Sequence, residues 1–244
     1  MRGSRINGAA AVTQLVELRS YTLVPGRVEA FVEHFERHFL ASQEELGMDI
    51  VGQFTLPGDD ARFVWVRRFL DPAARAEALA SFYSGPTWKE FGPRANELMI
   101  DHTDVHLLVP DRSAPVFVPN HAPHARRQGS RGDRSERPGS IVVAAVYDLI
   151  GDLELPVEAA EAMTIARQAV SGDGVSELGR LVTAGVPNDF PRLPVHEDVT
   201  VAVWLLSDPV DGEAATTAAE ALADSQGLTL RTTCLAPTAR STLR

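Results

Sequence analysis

The order strand, helix, strand, strand, helix, strand runs twice along this chain, once on each side of an irregular stretch. In the first run, Gln14 to Leu23 alternates as a strand. "VPG" (Val24 to Gly26) turns into a helix over Arg27–Gly47, with Gly47 as its stop. Asp49–Leu56 and Arg62–Phe69 are strands joined by the hairpin signal "PGDD". A helical stretch starts at Pro72, is interrupted at "SGP" (Ser84 to Pro86) and is expected to kink at Gly92-Pro93; Ile100–Val109 is the last strand. In the second run, Ile141–Leu149, Glu177–Ala184, Val199–Leu206 and Leu228–Leu235 are strands, and Val157–Val170 and Glu213–Gln226 are helices. Each third strand carries a tryptophan, Trp65 or Trp204, and ends in Asp-Pro. This pattern predicts an α+β chain of tandem βαββαβ units, the second diverged from the first.

The segmentation is then 1–13, a disordered N-terminus; 14–110, the first unit; 111–140, a linker rich in Pro, Gly and Arg; 141–237, the second unit; and 238–244, a tail. The "RGD" at Arg131–Asp133 is a chance triplet within the linker.

Composition narrows the function. A net charge of −10 argues against nucleic-acid or anionic-membrane partners, which need a basic face. No apolar run is long enough to span a bilayer, and no secretory apolar core is present. Cys234 is the only cysteine, so an internal disulfide and a cysteine zinc cage are excluded, and a reducing, cytoplasmic setting is expected. The lone lysine, Lys89, amid arginines points to a GC-rich bacterial genome. "SGDGVSELG" (Ser171 to Gly179) runs into a strand instead of a helix, so it is no phosphate loop. No nucleophile elbow is present.

Two places could carry chemistry. His34 and His38 stand four apart on the first helix, beside the stripe Val28, Phe31, Val32, Phe35, Phe39 and Leu46. They read as the flank of a core helix, since a zinc site needs a third ligand. No metal and no cofactor is expected. The other place is a strand face. Alternation puts Glu17, Arg19 and Tyr21 on one side of the first strand, Trp65 and Arg67 on one side of the third, and His102, Asp104 and His106 on one side of the fourth. If the apolar sets (Val16, Leu18, Val64, Val66, Val105, Leu107) face the helices, these eight residues share the opposite face. The second run offers Tyr147, Trp204 and Arg231 there, with Ala145, Ala202 and Thr233. The expected chemistry is proton transfer by His102 or His106, oriented by Asp104, with Arg19 or Arg67 holding an oxyanion and Glu17 nearby; Tyr21, Trp65, Tyr147 and Trp204 would grip a small apolar or aromatic substrate. The competing reading is an interface, where such residues are also favoured.

"ELRSYTLVPGR" (Glu17 to Arg27) and "FYSGPTWKEFGPRANELMIDHTDVHLLVP" (Phe82 to Pro110) resemble the NIPSNAP family of dimeric α/β-barrel proteins, over residues 14–110. The resemblance implies a ferredoxin-like unit whose sheet pairs with that of a second unit, here supplied by the same chain, with a homodimer of the whole chain as a further option. It adds Trp88 and Arg94 to the substrate-binding candidates. The wider superfamily includes cofactor-free oxygenases, isomerases, haem enzymes and stress-response proteins of unknown activity, and the expectation it implies here is a small-molecule enzyme of bacterial, secondary metabolism. Isomerase, cyclase and cofactor-free monooxygenase are the expected activities; a non-catalytic binding or assembly protein and a haem protein are the alternatives.

Overall fold

The computed structural model describes residues 14–111, 140–147, 176–208 and 230–243. The expectations for residues 1–13, for most of the linker, and for the helices at Val157–Val170 and Glu213–Gln226 lie outside the described residues. The first run contains β1 (Leu15–Leu23), α1 (Val28–His38), α2 (Leu40–Glu44), β2 (Asp49–Thr55), β3 (Arg62–Phe69), α3 (Pro72–Ser84), α4 (Pro86–Leu98) and β4 (Met99–Pro110). The second contributes β5 (Ser140–Tyr147), β6 (Ser176–Thr183), β7 (Val201–Asp208) and β8 (Leu230–Pro237).

Local chemistry accounts for the boundaries. Asp71 caps α3 by accepting the Ala74 N–H at 2.8 Å, with Pro72 at the first helical position. Gly47 stops the helical region at φ +84°, a conformation that favours glycine. The long helix expected over Arg27–Gly47 is instead two, because the α-helical run ends at His38 and α2 starts at Leu40. Pro93 lies inside α4, which runs on to Leu98. Gly92 is required beside it: a Cβ there would come within 2.7 Å of the Trp88 indole.

The strands pair antiparallel throughout and close into a barrel in the order β1-β3-β2-β8-β5-β7-β6-β4. β1 lies between β3 and β4. The two runs join at β2–β8 and β4–β6. Residues 238–243 then run beside β2, where the Leu243 N–H donates to the Val51 carbonyl at 3.1 Å.

Closure buries both faces of the sheet. Val16, Leu18, Val51, Phe54, Val64, Val66 and Leu108 meet Leu181, Val201, Val203, Leu205 and Leu235 in one apolar lumen. The helical side holds a second core, built from Leu15, Tyr21, Leu23, Phe31, Phe35, Phe39, Phe63, Trp65 and Phe82. The apolar set of β1 and β3 therefore faces the lumen, and Glu17, Arg19, Tyr21, Trp65 and Arg67 face the helices. Their shared face is as expected from alternation, but it points the opposite way. The reason is that a closed barrel gives its apolar side chains a core that needs no helix.

β4 corrects the expectation a second time. His106 pairs with Leu18 and Asp104 with Ser20, but Thr22 pairs with Asp101, so β4 carries an extra residue. The Asp101 carboxylate holds this bulge by accepting the Thr103 N–H at 2.9 Å and its hydroxyl at 2.7 Å. Alternation is broken there. His102 turns to the helical side, where its ring lies 6.3 Å from Tyr21, while Asp104 and His106 stay on the lumen side at the rim.

Phe54 is fully buried in the lumen, and its ring lies over Gly52, where a Cβ would come within 2.4 Å of it. Phe54→Ala should lower the unfolding free energy by about 3–5 kcal/mol in a urea titration. An unchanged midpoint would contradict a lumen packed as a core.

Candidate functional site

β1, β3 and α3 converge on one carboxylate. Glu17 Oε2 accepts from Arg19 Nη1 and Arg67 Nε, and Oε1 from Arg75 Nε, each at 2.7 Å. All four side chains are fully buried. Arg67 also donates to Gln43 Oε1 at 3.0 Å, and Arg75 to Asn188 Oδ1 at 3.2 Å and to Asp189. Burial opposes ionisation of Glu17, but the Arg67, Arg19 and Arg75 guanidiniums outweigh it and hold the carboxyl far below its ordinary range. Arg75 escapes sequence analysis as a site residue because it looks like one more helical arginine. Its signal is the stripe Arg75, Ala78, Leu79, Phe82, which is the buried side of α3.

This group carries three guanidiniums against the Glu17 and Asp189 carboxylates, an excess of one positive charge. Arg19 Nη2 and Arg75 Nη2 are buried without a hydrogen-bond partner among the described residues. The cations lie behind aromatic rings: the Arg19 guanidinium carbon is 5.5 Å from the centre of Tyr21 and 5.7 Å from that of Trp65, and that of Arg67 is 5.0 Å from Trp65.

In front of those rings is a cavity of about 360 Å³, walled by Phe31, Phe35, Phe39, Phe82 and Trp88 as well as Tyr21 and Trp65. Its polar groups are Gln43, Tyr83, Asn96, His102 and Arg192, and its volume lies in the range of small-molecule sites. Arg19 Nε donates to the Tyr21 hydroxyl oxygen at 2.9 Å, so the hydroxyl proton is left for another acceptor. Burial pushes the Tyr83 hydroxyl up, against the pull of Arg67. Phe190, Arg192 and Leu193 close one side from segment 184–200, which connects β6 to β7.

The expected site residues thus separate. Tyr21, Trp65, Trp88 and His102 line the cavity. Glu17, Arg19 and Arg67 are buried behind it. Arg94 is on the exposed side of α4, paired with Glu97 at 2.8 Å, and does not line the cavity. Trp204 is buried on β7 away from the cavity, facing opposite to Val203 and Leu205 of the lumen. The side chain of Tyr147 lies outside the described residues. Asp104 and His106 lie across the sheet from His102, so Asp104 does not orient it; both instead meet His196, which sequence analysis missed. Asp104 Oδ1 is 3.1 Å from His196 Nε2 and 3.7 Å from His106 Nε2. Burial pushes the His106 imidazole below its ordinary value, against the pull of Asp104. His34 and His38 are flank residues: His34 Nε2 lies 2.9 Å from the Phe91 carbonyl oxygen, and His38 stacks on the Phe91 ring at 3.7 Å.

The class defined by these features is an antiparallel α/β barrel with an aromatic pocket under its helices. Residues 16–115 match the NIPSNAP family model. A NIPSNAP-like domain protein of Burkholderia xenovorans is 28% identical, over 45% of this chain and 92% of its own, at a TM-score of 0.38. A NIPSNAP family protein of Agrobacterium tumefaciens, described as of unknown function, is 24% identical over 41% of this chain and 90% of its own, also at 0.38. A candidate monooxygenase of Fusobacterium nucleatum shares the fold over 93% of both chains, at 10% identity and a TM-score of 0.50. No curated protein matches the chain. No helix among the described residues is long and apolar enough to cross a membrane.

Glu17→Gln would leave three buried guanidiniums facing a neutral amide. It should destabilise the fold by about 3–5 kcal/mol in urea at neutral pH. The native carboxyl titrates lower when folded than when unfolded, so its contribution is complete above about pH 5 and is lost as pH falls. The gap between native and variant should therefore narrow in acid; a gap that widened would contradict the network.

Proposed function

We propose that this chain is an enzyme that moves a proton on a small aromatic or otherwise apolar molecule carrying an acidic or enolisable group. The observation that supports it is the cavity itself, which brings His102 together with Tyr21 and Tyr83 between aromatic walls, in front of a buried cluster in which guanidiniums outnumber carboxylates among the described residues. The walls exclude water and stack on the substrate. His102 accepts the proton, as the one imidazole among the cavity's described lining residues. The electron pair of the broken bond moves onto a substrate oxygen. Tyr21, whose oxygen already accepts from Arg19, donates its proton to that developing oxyanion, and the positive charge behind it favours the same species. Isomerisation, cyclisation and cofactor-free oxygenation all begin with such a step. Glu17, Arg19 and Arg67 set the field and the position of the walls without touching the substrate.

Complete burial of those three residues favours one other reading, a binding protein in which the charges only cement sheet to helices. A haem fits the described residues poorly. His106 packs against His196 with ring centres 4.8 Å apart, His102 meets Tyr21 edge-on, and the lumen is filled by apolar side chains. We also read the chain as two fused ferredoxin-like units that close one barrel between them. The common strand order of the two runs, fourth-first-third-second, supports this reading.

Trp65 and Trp88 line the cavity, so ligands can be found by fluorescence quenching with a panel of hydroxyaromatic and 1,3-dicarbonyl compounds. A bound member of the panel should take up solvent deuterium at its acidic C–H in the presence of the native protein. His102→Ala should keep binding and slow that exchange by about 10²–10⁴-fold. Binding with no exchange in the native protein would favour the non-catalytic reading, and undiminished exchange in the variant would remove His102 from the mechanism.

A further inference from the structure

The cluster at the barrel rim is separate from the pocket and has the composition of a metal centre. Asp104 and His106, two apart on β4, project from one face of it, and His196 comes from segment 184–200. Their ligand atoms all lie within 4.8 Å of one another. Three donors at 2.0–2.2 Å from a common ion are separated by roughly 3–4 Å, so the three side chains converge to within a small rotamer adjustment of coordination. The site is also prepared by its surroundings. The His196 N–H donates to the Val105 carbonyl oxygen at 2.8 Å, which fixes the third donor against the strand that carries the other two. His106 is nearly buried, while the side chains of Asp104 and His196 are 45% and 37% exposed, so an ion there would keep a side open to water.

We propose that Asp104, His106 and His196 bind a divalent first-row transition cation, zinc or iron(II) by chemistry. Two imidazoles and one carboxylate suit those ions and leave coordination positions for solvent or a ligand. The hard-cation alternatives, calcium and magnesium, prefer all-oxygen sites and are disfavoured. The same segment that supplies His196 also supplies Phe190, Arg192 and Leu193 to the pocket and Asp189 to Arg75. A bound cation therefore ties the side of the pocket formed by this segment to β4. This inference is independent of the proposed proton transfer, because the two sites lie on opposite sides of the sheet.

The full chain, stripped with a chelator, should take up one equivalent of Zn²⁺ in a calorimetric titration, and Co²⁺ in its place should give visible d–d absorption of an imidazole-ligated ion. His196→Ala and Asp104→Asn should each weaken Zn²⁺ by more than about 100-fold, beyond the 10–100-fold effect of outer-shell partners. The double variant His34→Ala/His38→Ala should leave binding unchanged, and Zn²⁺ should slow amide exchange across segment 184–200. The proposal is overturned if the native chain binds no Zn²⁺, if folded Asp104→Asn binds it as tightly as native, or if the His34/His38 variant is the one that loses it. Asp104→Asn changes a half-exposed side chain and so keeps the test valid should a histidine variant fail to fold.

Discussion

The Glu17 carboxylate is the point on which the helical side of this barrel depends. Burying a carboxylate without compensation costs several kcal/mol, and three guanidiniums buried without one would be worse. Here each oxygen is occupied by arginines from β1, β3 and α3, so the network is tolerable only when complete. It fixes α3 over the sheet, sets Arg19 against Tyr21 and Trp65, and through Arg75 reaches Asn188 and Asp189 in segment 184–200. The pocket walls are therefore positioned by electrostatics as much as by packing.

Much of this was legible in the letters. The strand alternation of β1 and β3, the start of α3 at Asp71-Pro72 and the stop at Gly47 are local matters, and local chemistry decides them. The direction of the polar face was not, because it depends on whether the other face has somewhere to go. Val16, Leu18, Val64 and Val66 could equally meet helices or a lumen, and only barrel closure chooses. Alternation groups His102 with Asp104 and His106 because it cannot register the single-residue bulge that lies between them. His196 and Arg75 were missed for different reasons. One sits in an irregular segment with no periodicity to read; the other is a charged residue in a buried stripe, where apolar residues are the norm.

Segment 184–200 links features that a reading of the strands alone keeps apart. It closes one side of the aromatic pocket, caps the arginine network and brings His196 to the barrel rim. It is a loop held at several points, by the Asn188 side-chain amide donating to the Leu193 carbonyl at 2.8 Å and by its bond to β4. Function on this fold would then be set by a connection between strands that are themselves largely committed to packing.

The central claim is that Glu17 is ionised, buried and surrounded by arginine on the helical side of the sheet. Carbon-13 NMR of the Glu17 side-chain carboxyl, followed from neutral pH into acid, tests it directly. The account predicts a carboxylate resonance that does not titrate for as long as the chain stays folded. A midpoint near the ordinary glutamate value of about 4.3 would contradict it.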